Sequence, residues 1–482
     1  MEDPDTPRYW PELLHWLEDH GMQVDAAHLL VHPRHVPGAG VGLFTMVDVS
    51  PTKALFSIPR SAQINMKTLE PHYPLGTPGS PLSATQLISL HLFLSRPADD
   101  ASPSLDPLFG PYISMLPRNF NSHPLSWKVN LTLGVSGRSS IEDHLLLSLP
   151  PSVDSGLKEI EDRFWGDWKA VSAYLVRSKH FPDICPRSGR RVVVAHERNV
   201  LDYLWAWLNV NTRCVYADLG LSRSDNLSMC PVFDFANHAW TDATMTPARR
   251  SHSTWRDPST SRESSFTCIA ANVAIPKAQE VHLTYGGHPN RTLFVEYGFV
   301  TAISEETLAS GVYPGEVDAQ HTIEGWFRDR GHHGVWMQQL LEQEGYWGDW
   351  TLHLSPSPAH PSYRLITALR LYHLVPIDST DLSTSHLQAL LVPWRETLLG
   401  LREEVSETNE AQCRLSIVDL CEKLASEGTE AISALQAARL DDGLQVGVVW
   451  HASMLESIRM LWLEELEVAR AVIRSVNTGE TF

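Results

Sequence analysis

Leu13, Trp16 and Leu17 are spaced i, i+3, i+4, which predicts a short helix over residues 9–20. From Gly38 the pattern changes to short β-rich runs, Val41–Val47 and then Ala54–Ile58, the second closed by Pro59. The Pro/Gly-rich stretch 71–81 and the segment 97–107 read as loops. Helical periodicity returns over Thr85–Leu94 and Gly156–Ser178, and most strongly over Glu197–Thr212, where Leu201, Leu204, Trp205 and Leu208 share one face. Strand-like runs follow at Pro231–Phe235, Phe266–Ile275 and Glu280–Tyr285, the last alternating Val281, Leu283 and Tyr285 against His282 and Thr284. The polar, Arg/Ser-rich stretch 246–265 between them predicts a surface loop. Beyond about residue 320 only helical periods occur: Leu365, Leu369 and Tyr372 before Pro376, then Ile417, Leu420, Cys421 and Leu424, then Leu455, Ile458 and Trp462. The pattern predicts an α+β chain: a β-rich half over 1–315 with a helical insert at about 84–200, then an all-helical domain over 316–482.

A length of 482 residues suits two or three domains, and 43% hydrophobic with 20% charged residues is globular rather than disordered. No run approaches the roughly 20 apolar residues of a membrane span. Met1-Glu2-Asp3-Pro4-Asp5 is acidic where a secretory signal is basic and then apolar. An intracellular protein, cytoplasmic or nuclear, is therefore expected, and a monomer. The formal charge of −19 argues against direct binding to nucleic acid and suits a basic protein partner or a lysine-containing segment. Six cysteines, at 185, 214, 230, 268, 413 and 421, form no Cys-x-x-Cys pair, so neither a zinc cluster nor a disulfide framework is expected.

Three segments carry candidate chemistry. Gly38-Ala39-Gly40-Val41-Gly42-Leu43-Phe44 is glycine-rich, but it precedes an extended run, and no helix follows to hold a pyrophosphate. Alone it reads as a turn that lets backbone lie close to something. Asp234-Phe235-Ala236-Asn237-His238 has no third ligand in a metal-binding pattern, and alone it reads as a strand end. Glu280-Val281-His282-Leu283-Thr284-Tyr285-Gly286 is followed by Asn290 and by Tyr297-Gly298-Phe299, placing two Tyr-Gly steps twelve residues apart.

In this order the three segments resemble the SET-domain methyltransferases, and more closely the class typified by the Rubisco large-subunit lysine methyltransferase. That class has a helical insert in the SET domain and a helical C-terminal substrate-binding domain. The motifs cover residues 20–315; beyond that the resemblance is one of layout. It implies S-adenosyl-L-methionine as cofactor, with main-chain groups of Ala39, Gly40, Val41 and Gly42 on its methionine part and Arg213 on its carboxylate. Asp234, Asn237 and His238 match the segment holding its amino group and adenine, and Phe299 the aromatic packed on adenine. Tyr285 matches the catalytic tyrosine, while Tyr297, Phe233 and Val215 match the lining of the target-residue channel; no metal and no dedicated base are needed. Ala278 stands where the family usually has glycine.

A lysine target on a non-histone or ribosomal-type protein is the leading expectation. A histidine-methylating member of the class carries Asn and Trp at the positions that here are Val215 and Phe233. A non-catalytic binding module is the third reading, against which the tyrosine and the Asn-His pair are retained.

Overall fold

A computed structural model of the protein describes residues 5–73, 81–137, 140–177, 197–248, 265–375, 384–441 and 449–480. Cys185, Pro376, Ser178, most of the 71–81 stretch and nearly all of the Arg/Ser-rich segment 246–265 lie outside the described residues. The chain packs as two units, Met1–Asn121 with Ile160–Gly287, and Ser122–Glu159 with His288–Phe482.

The first unit holds β1 (Val31–Val36), β2 (Gly40–Thr45), β3 (Ala54–Ile58), β4 (Ile64–Asn65), β5 (Val215–Tyr216), β6 (Leu227–Met229), β7 (Asn237–His238), β8 (Met245–Pro247), β9 (Phe266–Ala270) and β10 (Glu280–Leu283). They form a four-stranded sheet β1-β2-β10-β7 and two three-stranded sheets, β3-β9-β8 and β4-β6-β5. β1 was not expected, because it contains Pro33; it survives as an edge strand, where a missing N–H costs little. Pro231–Phe235, expected as a strand, instead ends in a 3-10 turn at Phe233–Phe235. Val232, at φ 70°, cannot continue an extended chain.

The helices of this unit pack around aromatic side chains. The opening helix Trp10–Asp19 buries Leu13 and Leu17. The helix Glu197–Arg213 buries Tyr203, Trp205, Trp207 and Leu208, so its apolar face is wider than one i, i+3, i+4 stripe. Trp207 lies 5.8 Å from Phe164 and donates to Asp167 at 2.8 Å, satisfying its indole N–H inside the core. This anchored helix delivers Arg213 in its last turn.

The second unit is helical with one addition, a three-stranded sheet of β11 (Glu316–Asp318), β12 (Thr351–His353) and β13 (His360–Pro361). That sheet corrects the expectation of helices alone beyond residue 320: two- and three-residue strands carry no detectable alternation. Its core gathers Phe327, Trp350, Leu369, Trp394, Ile417 and Cys421. Packing divides at 287/288 and not at the expected 315/316, because residues before 315 bond to the helix Val449–Asn477. Trp462 donates to the Ser148 carbonyl at 2.9 Å, Ser152 donates to Glu465, and the Asn290 N–H donates to Glu464 at 3.3 Å. Among the described residues no helix is long and apolar enough to cross a membrane, and Cys214, Cys230, Cys268, Cys413 and Cys421 are free thiols.

Candidate active site

β10 is the hub of the site. It pairs antiparallel with β2 (Glu280↔Phe44, Val281↔Leu43) and parallel with β7 (His282↔Asn237, Leu283↔His238). Three segments separated by up to 240 residues thus lie on adjacent strands. Val281 and Leu283 are buried and anchor β10 to the core, which leaves Glu280 and His282 for polar work.

Gly38 (φ 79°) and Gly40 (φ 82°) need the left-handed region to turn β1 into β2. In that turn the Ala39 N–H donates to the Val36 carbonyl at 3.1 Å, and Val41 pairs with His35. Gly42 is required for a different reason. A Cβ there would collide with Glu280 Oε1 and stand 3.0 Å from Asn237 Nδ2. The glycine lets the neighbouring side chains fit against β2, a constraint additional to the expected close approach of a ligand. Asn237 Nδ2 donates to Glu280 Oε1 at 2.7 Å, and His282 Nε2 lies 3.6 Å from Glu280 Oε2. Partial burial opposes the Glu280 charge, yet the bonds from His282 and Asn237 outweigh it and hold its carboxyl below its ordinary pKa.

Tyr285 follows β10 and is fixed at both ends. Its N–H donates to His238 Nδ1 at 3.1 Å, and its hydroxyl donates to the Ala236 carbonyl at 2.9 Å. The His238 and Tyr285 rings are 5.1 Å apart. With its proton committed to Ala236, the phenolic oxygen keeps lone pairs that can only accept.

Asp234 is held by local geometry. The Phe233 N–H donates to the Pro231 carbonyl at 2.8 Å, closing a γ-turn on Val232 at φ 70°, ψ −50°. A β-branched residue with positive φ is strained, and such strain gathers at functional sites. The Asp234 side chain is fully buried. Arg213 Nη1 donates to its carbonyl at 2.6 Å and lies 3.3 Å from Oδ2, which also accepts from the Tyr112 hydroxyl at 2.9 Å. Burial raises the Asp234 pKa, against the opposing pull of Arg213 and Tyr112. Arg213 Nε and Asp234 Oδ1 are buried with no hydrogen-bond partner within the protein. A spare donor and a spare acceptor on one ion pair fit a ligand that carries both a carboxylate and an ammonium, since unmet buried polar groups cost about 1–3 kcal/mol each.

Val215 and Phe233 are placed through other elements of the same unit. Val215 pairs with Ser228 in the β4-β6-β5 sheet, and the buried Phe233 ring packs 5.0 Å from Phe266. Tyr297 and Phe299 belong to the second unit, 6.1 Å apart at the end of the helix Asn290–Tyr297. Between them Gly298 is left-handed (φ 80°), and a Cβ there would stand 3.0 Å from His123 Cδ2. Burial takes the His123 imidazole pKa down to about 4, so a neutral ring sits against this turn. The sequence motifs give no role to Tyr112, Glu280 or His123. Tyr112 lies in the six-residue helix Gly110–Met115, too short to show a period, and Glu280 occurs inside a motif read for its tyrosine.

No protein-family model matches the chain. The ribosomal lysine N-methyltransferase set11 of Schizosaccharomyces pombe is 26% identical over 373 residues, 76% of this chain and 77% of that protein. Human SET domain-containing protein 4 is 24% identical over 501 residues, 98% of this chain and 92% of its own length. Among solved structures, the SET domain of LSMT bound to lysine and AdoHcy superposes with a TM-score of 0.55 at 16% identity, covering 98% of this chain and 91% of that one. Rubisco LSMT bound to AdoMet gives 0.53, also at 16%, over 99% and 95%. With its three motif segments joined in one sheet, the chain shares the fold of the Rubisco LSMT SET domains and is similar in sequence to SET-domain proteins, among them a lysine methyltransferase.

Proposed function

We propose that this protein is an S-adenosylmethionine-dependent lysine N-methyltransferase acting on a basic, non-histone protein of the ribosomal kind. The observation that carries the reading is the β2-β10-β7 arrangement, which sets Gly40–Gly42 and Asn237-His238 on strands flanking β10, with Tyr285 just beyond the end of β10. The Schizosaccharomyces pombe relative, a ribosomal lysine N-methyltransferase by name, supports the substrate class, as does the chain's charge of −19.

The cofactor, when bound, supplies a methyl group activated on a sulfonium. The chain's own residues bind and orient. The main chain of Ala39–Gly42 and the side chains of Asn237 and His238 receive its amino-acid and adenine parts. Arg213 and Asp234 offer the spare donor and acceptor for its carboxylate and amino group, and Phe299 packs on the adenine. The Tyr285 oxygen, its proton engaged by Ala236, accepts from the incoming amine and aligns it. Tyr297, Phe233 and Val215 line the channel for the target side chain. A free lysine has a pKa near 10.4, so neutralising it at pH 7.4 costs about 4 kcal/mol. An apolar, aromatic channel disfavours the ammonium and lowers that cost. The helical region within 316–482 is proposed to dock the protein substrate.

The test is incubation with labelled cofactor and a cell lysate, followed by mass spectrometry of the labelled band. N-methyl-lysine is expected, with a rate still climbing to about pH 8.5 and a loss of about a hundredfold in Tyr285→Phe. N-methyl-histidine in the labelled peptide, or label that survives replacement of every candidate lysine by arginine, would overturn the lysine assignment.

A further inference from the structure

The Tyr112 hydroxyl is the second donor to a carboxylate that has no solvent. Asp234 Oδ2 receives Tyr112 at 2.9 Å and Arg213 at the longer distance of 3.3 Å, and both the Tyr112 ring and the Asp234 side chain are fully buried. The backbone of Asp234 is pinned by the γ-turn before it and the 3-10 turn around it, so only its side-chain torsions remain to be set. Tyr112 is itself braced. The loop leading to its helix is tied by Phe109 N–H to Asp106 at 2.7 Å, by Ser104 N–H to Ser114 Oγ at 2.9 Å and by Ser104 Oγ to the Ser95 carbonyl at 2.6 Å. Gly110 opens that helix where a Cβ would stand 2.9 Å from the Ser104 carbonyl oxygen. Burial pushes the phenol pKa well up, so the hydroxyl keeps its proton and stays a donor.

From this geometry we propose that Tyr112 is a positioning residue for the cofactor's amino-acid end: it fixes the carboxylate that in turn orients the Arg213 guanidinium. The proposal rests on the reading that Arg213 receives the cofactor carboxylate. Without the Tyr112 hydroxyl, Asp234 keeps a single, longer side-chain donor. Burial then favours its protonation or rotation, and either change leaves Arg213 held mainly by the Asp234 carbonyl at 2.6 Å. The guanidinium loses the second point that sets its plane, while the sheet carrying Gly42, Asn237 and Tyr285 is untouched.

Titration calorimetry on the full chain separates this role from general support of the fold. The ligands are S-adenosylhomocysteine, which has the amino-acid end, and methylthioadenosine, which lacks it. Tyr112→Phe is expected to raise the dissociation constant of S-adenosylhomocysteine about tenfold, the worth of one hydrogen bond to a charged group, and that of methylthioadenosine less than about twofold. Arg213→Ala should discriminate in the same direction and more strongly. In an Asp234→Asn background, Tyr112→Phe should add less than about twofold, because the carboxylate it serves is gone. Should Tyr112→Phe fail to melt cooperatively, Tyr112→Met carries the same two-ligand comparison. Equal loss for both ligands, or no loss for either, overturns the role of Tyr112 even where Arg213→Ala still discriminates. Equal loss in Arg213→Ala removes the reading of Arg213, and the proposal with it.

Discussion

Single residues in this protein are held to their places by backbone geometry as much as by side-chain chemistry. Ala278 shows the cost most directly. It is exposed, sits at φ 64° in the turn before β10, and donates its N–H to the Thr45 carbonyl at 2.9 Å. An L-residue pays about 1–2 kcal/mol to stand there and a glycine does not. Ala278→Gly is therefore expected to stabilise the fold by about 1 kcal/mol, less the added freedom of the unfolded chain, read as a raised melting temperature with unchanged activity. The sequence marked this alanine as unusual; only the dihedral says why. Asn237 illustrates the reverse case. Its type and its neighbour His238 were legible as a motif, but its bond to Glu280 and its approach to Gly42 were not. Asn237→Ala should weaken binding of S-adenosylhomocysteine by tenfold or more, about 1.4 kcal/mol, and calorimetry showing unaltered affinity would remove Asn237 from the proposed cofactor site.

At the level of elements, legibility followed length. The helices Trp10–Asp19, Glu197–Arg213 and Tyr363–Leu374 show in their apolar periods because each repeats the signal over several turns. β7 has two residues, the polar pair Asn237-His238, so the local signal is no more than a strand end and carries no alternation; the partner β10 makes it a strand. The helix Val449–Asn477 was equally legible, but its most consequential residues were not. Glu464 and Glu465 lie in it, buried and adjacent. Glu464 accepts from the Tyr313 hydroxyl and from the N–H groups of Asn290 and Glu316. Glu465 accepts from Ser152, with Glu427 and Arg291 also acting on it. Burial raises the Glu464 pKa to about 7 and that of Glu465 to about 8. In the unfolded chain both titrate near the ordinary carboxyl value, about 4.3. Between those limits the folded state binds more protons than the unfolded one, so this contribution to stability is full at low pH and is lost as pH rises through about 7–8. Glu465→Gln, which copies the protonated acid, should raise the melting temperature above pH 8 and leave it nearly unchanged near pH 5. A difference from the parent that does not vary with pH would contradict this account.

At the scale of the whole chain, sequence order and packing order disagree. The helical half was read as a module beginning near residue 316, yet the second unit recruits Ser122–Glu159 from inside the insert and everything from His288 onward. A chain cut after residue 315 would leave Ser148, Ser152 and Asn290 without Trp462, Glu465 and Glu464. Such a truncation is expected to aggregate or to melt without cooperativity in calorimetry, rather than to yield a clean catalytic domain. A soluble, cooperatively melting 1–315 fragment would show that these bonds are dispensable. Sequence could not reveal the interleaving, because periodicity reports which face of a helix is apolar and not which distant segment covers it. The same interleaving bears on synthesis. The first unit has its last residue by Gly287, whereas Ser122–Glu159 must wait for the helix Val449–Asn477, some 300 residues later. At the usual pace of a ribosome that interval is on the order of tens of seconds. For that time the face of the segment that meets this helix stands uncovered on the nascent chain, which makes it the natural place for a chaperone to hold.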